Sequence, residues 1–426
     1  MPPTWSEAAL DFLVPKGNAR SVTFAGIFLT SGTSLWWPLF AIFLASNGLG
    51  PVLIGVVIAL GTLVALLAAP VGGILADRYS RTGILVVGAA INAAGLFGIA
   101  LAPSGAPAAF PILAAMFGVA SFGGNLGGGA MRALLFESAR KDQRGRAMAS
   151  PYVLPSFVAI PMPFLGALMS QIVNWPFVFL VAGALVSITS VTYALLLVEP
   201  TREPLPSAGA GARPRPSWFR RWGFLTPVLG IVGVYVLVGF GNGIVSPFMP
   251  IYFTVFLHSS VPFFGVLASI EMATVGILAL VSGRLVDRWG SARTIFASFA
   301  GETAAVVAMI FVRNLLLAGT LFVVWGAVDW LDLPAPSVYI GARVAQRNRA
   351  TALSTFGVAT QLPLLLAPAV GGALFAISPP LILVSYAAIV GASTLAVVFL
   401  GGLRGEKEEH LGEPSPGPGN SSSPTN

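Results

Sequence analysis

The chain has 426 residues, of which 56% are hydrophobic and only 9% are charged. Soluble domains carry about 25% charged residues, so the composition excludes an ordinary water-soluble fold. No Cys and only two His are present, which excludes a disulfide framework, a thiol nucleophile and Cys-ligated metal; neither metal nor cofactor is expected.

Apolar blocks between charged or Gly/Pro-rich breaks are long enough to cross a bilayer, which takes about 20 residues of helix. They predict an all-α integral membrane protein with twelve transmembrane helices. Residues 1–20 are not predicted to be a cleavable signal peptide, because Glu7 and Asp11 interrupt them. The predicted spans cover 21–46, 51–76, 82–103, 107–136, 147–171, 175–197, 224–256, 261–286, 291–312, 315–341, 350–376 and 379–402.

The basic residues follow the alternation of these spans. If the N-terminus is cytoplasmic, only Arg313 of the 23 basic residues lies in an outer segment. This bias is the positive-inside rule, and it predicts a multi-pass plasma-membrane protein with both termini in the cytoplasm. The net charge of +7 is then explained by topology, so no nucleic-acid partner is needed.

Composition also divides the chain into segments. Residues 199–222 are rich in Pro, Gly, Ala and Arg, which is typical of a linker rather than a packed element. The predicted order is a cytoplasmic N-terminal segment (1–20), a six-helix bundle (21–198), a cytoplasmic linker (199–222), a second six-helix bundle (223–402) and a disordered cytoplasmic tail (403–426).

The two predicted bundles repeat one another. Corresponding positions are Pro38 and Pro247 at an offset of 209, and Gly55 and Gly265, Gly73 and Gly283, and Asp77 and Asp287 at an offset of 210. Duplicated halves are a transporter architecture, because two similar bundles can rock about a site at their interface.

The loop after the second span, with its copy after the eighth, resembles the G-x-L-x-D-R-x-G-R-R motif of the major facilitator superfamily of secondary transporters. The matching residues are Gly73, Leu75, Asp77, Arg78 and Arg81 in the first copy and Gly283, Leu285, Asp287, Arg288, Gly290 and Arg293 in the second. The resemblance covers residues 20–402 and implies the fold of that superfamily. It departs from many proton-coupled members at Phe117, where they have an Arg in the fourth span.

A conformational latch between the halves is expected at these loops. Glycine permits close helix approach, and an acid at a helix end can pair with a cation or a helix N-terminus across the seam. A solvated loop that obeys the charge bias is the alternative. The expected latch residues are Gly73, Asp77, Arg78, Arg81, Glu137, Gly283, Asp287, Arg288 and Arg293.

Four acids lie within predicted spans of the second half, namely Glu271, Glu302, Asp329 and Asp332. Charged groups in the bilayer are costly and are candidates for function. Asp329 and Asp332, three residues apart, are expected on one helix face, which the resemblance places beside the substrate cavity. Two close carboxyls in a poorly hydrated cavity are expected to exchange a proton near neutral pH.

Other roles remain open for these acids. The aspartates could instead bind unwound backbone near Pro334 and Pro336, or a sodium ion. Glu271 could share the cavity or form a contact between the halves, whereas Glu302 could pair with a neighbouring span or extend towards the interface.

Aromatic and amide side chains on the presumed cavity helices offer stacking, cation–π and hydrogen-bonding surfaces. No Lys or Arg lies in the middle of a predicted span, which disfavours an anionic substrate. The expected cavity residues, besides the acids, are Asn125, Asn242, Trp36, Trp37, Tyr252 and Trp330.

Together these features predict a monomeric secondary active transporter among membrane lipids, moving a small neutral or cationic molecule by alternating access with proton coupling. Export of lipophilic compounds is favoured. The alternatives are an importer or uniporter of sugars or other nutrients, and a non-transporting membrane receptor. No nucleotide loop or nucleophile–base set is present in the sequence, so an enzyme is not expected.

Overall fold

The computed structural model describes residues 16–103, 105, 109–139, 143–200 and 223–399. Within these ranges the ordered elements are helices, and they include no strand. The predicted all-α class is therefore confirmed. Most of the predicted N-terminal segment and linker, and the whole of the predicted tail, lie outside the described residues.

The first half contains nine α-helices in chain order. They are α1 (Asn18–Trp36), α2 (Phe40–Ser46), α3 (Pro51–Arg78), α4 (Arg81–Ala100), α5 (Ala109–Leu126), α6 (Gly128–Ser138), α7 (Arg144–Ala159), α8 (Met162–Ile172) and α9 (Trp175–Leu196). Within this half α4 packs against α5 and α9, and α1 packs against α7 and α9.

The second half has the same kind of arrangement. Its longer α-helices are α10 (Leu229–Val245), α11 (Val261–Trp289), α12 (Ser291–Phe311), α13 (Leu315–Asp329), α14 (Ala335–Arg343), α15 (Gln346–Gln361), α16 (Ala367–Ile377) and α17 (Leu381–Val397). Here α12 packs against α13 and α17, and α11 packs against α13. The halves meet where α3 contacts α16 and where α8 contacts α11.

The sequence repeat is visible in the backbone. In both halves an α-helix gives way to a short 3₁₀ turn at the equivalent proline, Trp37–Leu39 around Pro38 and Ser246–Phe248 around Pro247. Proline lacks the N–H that would continue the helix and clashes with the preceding turn. The two kinks therefore have the same local cause.

Nine helical segments of the described residues are long and apolar enough to cross a membrane. A tenth is formed if the pair Arg146–Ala159 and Met162–Ile172, bent by 42°, is one span. Two further apolar helices, Leu315–Asp329 and Leu381–Val397, are shorter. The multi-span fold is thus confirmed, whereas the number twelve stays a prediction.

Close backbone packing between the halves occurs at glycines near one end of the molecule. A Cβ at Gly55 would lie 2.2 Å from the carbonyl oxygen of Pro368, and one at Gly372 would lie 2.3 Å from that of Pro51. In the other seam, a Cβ at Gly265 would lie 2.9 Å from the carbonyl oxygen of Pro163. We call this end of the molecule the closed end.

The opposite end differs. Gly73 lies 18 residues beyond Gly55 on α3, which is about 27 Å along the helix. A Cβ at Gly73 or at Gly283 would meet no atom within 4 Å. The expectation of close helix approach at these two glycines is therefore not met in this conformation, because the tight contacts between the halves are at the closed end.

Candidate substrate cavity

A cavity of about 600 Å³ lies between the two halves. Residues from α10, α11 and α13 form one wall, and the region around the kink at Pro38 forms the other. Of the predicted cavity residues, the structure brings five into this lining: Trp37, Asn242, Glu271, Asp329 and Trp330.

The wall from the second half is acidic. Asp329 is the last residue of α13, and its Oδ1 accepts a hydrogen bond from Asn242 Nδ2 at 3.2 Å. Glu271 of α11 lies against the backbone of α13, because a Cβ at Gly326 would be 2.6 Å from Glu271 Oε1. Gly326 is three residues before Asp329, about one helical turn. Two carboxyl groups thus border the same part of the cavity.

Asp332 does not share a helix with Asp329. Pro334 cannot donate to the carbonyl of Trp330, and it disfavours helix at Leu333, so the chain turns between α13 and α14. The expectation that both aspartates lie on one helix face is wrong for this reason. Asp332 is 5% exposed and accepts a hydrogen bond from the Tyr235 hydroxyl.

Both aspartates nevertheless bind the same neighbouring helix. Asn242 and Tyr235 lie seven residues apart on α10, about two turns, and therefore on one face. Each donates to one aspartate across the break. The break also brings the alternative of a purely structural role into view, since the carbonyl of Asp332 accepts from the Ala335 backbone N–H at 2.7 Å.

Behind α13 lies a fourth carboxyl, Glu302, which is 0% exposed. It faces protein: Glu302 Oε2 accepts from the Tyr386 hydroxyl of α17, and Tyr386 in turn accepts from Trp325 Nε1 at 2.9 Å. Trp325 lines the cavity. Glu302 is therefore joined to the cavity wall through two aromatic side chains, and Tyr386 is a site residue that the sequence analysis did not single out.

The wall from the first half is aromatic. Trp37 is 48% exposed, and its ring stacks against Phe117 with centroids 6.1 Å apart and against Phe40 with centroids 6.3 Å apart. Phe117 occupies the position where many members of the resembled family have a basic residue. An aromatic surface thus replaces a positive charge on this side of the cavity.

The remaining predicted cavity residues lie elsewhere. Trp36 and Asn125 line a second cavity of about 330 Å³ within the first half, which Trp37 also borders. Tyr252 is fully buried at the closed end, among the rings of Phe253 and Phe256. Neither cavity has a Lys or Arg in the lining that the structure describes.

The loop residues of the predicted latch make contacts within the first half. Arg81, at the start of α4, forms an ion pair with Glu137 of α6. The guanidinium of Arg78 lies 5.8 Å from the ring centroid of Tyr79, beside Asp77 at the end of α3. In the second half, Asp287 and Arg288 lie in the last turn of α11, and Arg293 lies in the first turn of α12.

A residue outside the predicted latch caps this region. Glu199 accepts hydrogen bonds from the backbone N–H groups of Arg81 and Thr82, at 3.0 and 2.9 Å, and from the hydroxyls of Thr82 and Ser80. Burial raises the pKa of Glu199, but these bonds outweigh it and lower the pKa to about 2. The carboxylate sits at a helix N-terminus, where negative charge is stabilised.

No group of three or more His, Cys, Asp or Glu side chains that could hold a metal ion occurs among the described residues. The four acids of the second half are spread over three helices and one turn, and their hydrogen-bond partners are Asn, Tyr and Ser side chains. Such a set can hold protons or face a cationic ligand.

Two helical halves around a central cavity define a membrane transporter of the secondary type. The family model described as Major Facilitator Superfamily matches residues 22–234 and 231–424. The chain therefore belongs to the major facilitator superfamily, and each half matches the model separately.

Among related proteins, the chain is similar to the multi-drug resistance efflux pump PmrA homolog of Lactococcus lactis subsp. lactis (strain IL1403). The two are 23% identical over 387 residues, covering 88% of this chain and 92% of the relative. Among solved structures, a variant of the nucleoside transporter NupG aligns with a TM-score of 0.73 at 14% identity, covering 90% of this chain and 99% of the other. A bacterial homologue of the iron transporter ferroportin, in an inward-facing state, aligns with a TM-score of 0.71 at 13% identity, covering 90% and 98%.

Proposed function

We propose that this transporter exports lipophilic cations and related neutral compounds in exchange for protons. The observation that carries the proposal is the asymmetry of the central cavity. Asp329 and Glu271 border one wall, stacked aromatic rings around Trp37 form the other, and no described basic residue lines the space. An organic cation with an apolar body complements both walls.

Proton coupling follows from the need to neutralise the acids. An ionised carboxyl in a poorly hydrated cavity costs several kcal/mol unless a positive charge compensates it. Asp329 has one amide donor, Asn242, and no cationic partner among the lining residues. Either a proton or a cationic substrate can supply the charge. If the two compete for Asp329, binding of one releases the other, which is the basis of exchange.

The direction of transport rests on orientation and kinship. Under the predicted topology the closed end faces outwards, so the cavity of this conformation serves the cytoplasmic side. An inward proton gradient would then load Asp329 from outside and displace the substrate there. The relative from Lactococcus lactis, named as a multi-drug efflux pump, supports export. The plasma membrane is the proposed location, with both termini cytoplasmic.

Transport in proteoliposomes tests the proposal. A fluorescent lipophilic cation and an uncharged analogue of the same shape are loaded separately, and a pH gradient is applied. Asp329→Asn and Glu271→Gln should abolish gradient-driven accumulation of the cation, because an amide cannot exchange a proton. Binding of the uncharged analogue should survive, since the aromatic wall is unchanged.

Two results would count against this proposal. Full concentrative transport by the double variant of Asp329→Asn with Asp332→Asn would exclude both aspartates as the coupling site. Equilibration of a sugar or another polyol, indifferent to the pH gradient, would instead identify a uniporter of nutrients.

A further inference from the structure

Glu302 is the buried acid that the cavity mechanism does not use. We propose that Glu302 is a second proton-binding site, outside the substrate cavity, and that Ser298 transmits its protonation state to the break between α13 and α14. The site itself is independent of the substrate; its effect on transport rests on the proposed proton exchange.

The hydrogen-bond donors around Glu302 fit a neutral carboxyl. The indole N–H of Trp325 donates to Tyr386, and the Tyr386 hydroxyl donates to Glu302 Oε2. Ser298 Oγ lies 2.7 Å from the carbonyl oxygen of Val328 and 3.3 Å from Glu302 Oε1. A serine hydroxyl has one hydrogen, and a carbonyl can only accept. With that hydrogen on Val328, a hydrogen between Ser298 and Glu302 must come from the acid.

The ionised form requires a different arrangement. A carboxylate only accepts, so burial without donors is costly and each oxygen needs one. Tyr386 already serves one oxygen. The Ser298 hydroxyl would then turn to Glu302 and leave the carbonyl of Val328, which lies in the last turn of α13. The last carbonyls of a helix lack partners within the helix, so this loss falls where the chain already breaks.

The electrostatic surroundings link this site to the cavity. The titratable groups that interact with Glu302 are Tyr386 of α17, Asp329 at the end of α13, Asp332 in the break and Tyr235 of α10. None of these groups is basic. On α11, the cavity-facing Glu271 interacts with Asp329. Negative charge on the cavity acids therefore favours a proton on Glu302, and a cation bound at Asp329 favours its release.

Infrared difference spectroscopy of the purified protein in lipid nanodiscs, without substrate, detects the site directly. A carbonyl band of a protonated carboxylic acid should appear as pH falls, vanish in Glu302→Gln and persist in Asp329→Asn. Tyr386→Phe should raise the frequency of that band, because the carboxyl loses one donor; this variant serves if Glu302→Gln does not fold. No such band, or a band that does not change with pH, would overturn the proposal.

The link to the helix break has its own readout. The chain has no Cys, so cysteines introduced at Val71 and Val281 are the sole thiols for spin labels. These residues are equivalent in the repeat and are 41% and 42% exposed. We expect pH to change the distance between the labels, Glu302→Gln to hold the low-pH distance at every pH, and Ser298→Ala to flatten the response.

Ser298→Thr is the matched control, because it keeps the hydroxyl and should restore the pH response that Ser298→Ala removes. A wild-type pH response in Glu302→Gln would overturn the coupling to the break. Failure of the proposed exchange would look different: Asp329→Asn would then transport the cation normally, while the infrared band of Glu302 would remain.

Discussion

Alanine at Gly55 should favour the conformation that opens the closed end. Gly55 packs on the backbone of Pro368, where a Cβ would lie 2.2 Å from a carbonyl oxygen. A backbone oxygen cannot move aside by a change of rotamer, so α3 and α16 must separate. The clash exists only while the two helices meet at this end, and it is relieved when the halves rock apart there.

The size of the effect follows from packing energies. Extra methyl groups in well-packed interfaces cost about 1–3 kcal/mol, and a rigid backbone partner places Gly55→Ala towards the upper value. If this cost applies to one conformation alone, the ratio of the two conformations shifts by about 5- to 150-fold. The helix preference of Ala over Gly, about 1 kcal/mol, stabilises both conformations and cancels.

The distance between spin labels at Val71 and Val281 measures the shift. Gly55→Ala should increase the population with the shorter distance, since these positions lie far from the closed end. Gly276→Ala is the control, because a Cβ there meets no atom within 4 Å. Identical distance distributions in folded Gly55→Ala and Gly276→Ala would show that the contact at Gly55 does not set the conformation.

Three further outcomes follow from the first half. Trp37→Ala should weaken binding of a lipophilic cation by about 2- to 30-fold, the equivalent of 0.5–2 kcal/mol of cation–π energy, as measured by ligand-induced thermal shift. Glu199→Gln should lower the thermal stability at neutral pH by about 1 kcal/mol, the typical value of a helix cap. Because the pKa of Glu199 is lowered to about 2, its contribution is complete above the usual value of 4.5 and is lost as pH falls from there towards 2, so wild type and variant should converge in acid. Glu137→Gln should cost at most about 1 kcal/mol, since Glu137 is 39% exposed and its pair with Arg81 is screened; a larger loss in thermal unfolding would indicate a role beyond this ion pair.

The sequence was sufficient for the fold because its determinants are local or repeated. Hydropathy located the spans, and the equivalent prolines Pro38 and Pro247 predicted a repeat that the backbone displays as paired 3₁₀ turns. The cavity acids Asp329 and Glu271 were also predictable, since a charge within an apolar span requires a protein or aqueous environment.

Contacts between distant spans were not predictable in the same way. Tyr386 and Glu302 are 84 residues apart and belong to no motif, so only the packing of α12 on α17 joins them. The helix-face argument failed at Asp332 because it assumed a continuous helix, although Pro334 already indicated a break. The tight glycine contacts depend on the conformation, which a sequence does not specify.

The break after Asp329 has a consequence for selectivity. A helix that ends at a cavity presents the negative pole of its dipole, equivalent to about half an elementary charge, through the last peptide carbonyls. This partial charge belongs to the backbone of α13 and is the same at every pH, whereas the charge of the aspartate is not. Preference for positive ligands and exchange with protons can therefore be separated. A variant that has lost its titratable cavity acids should still discriminate a cation from an anion, as a passive carrier with an electrostatic bias fixed by main-chain geometry.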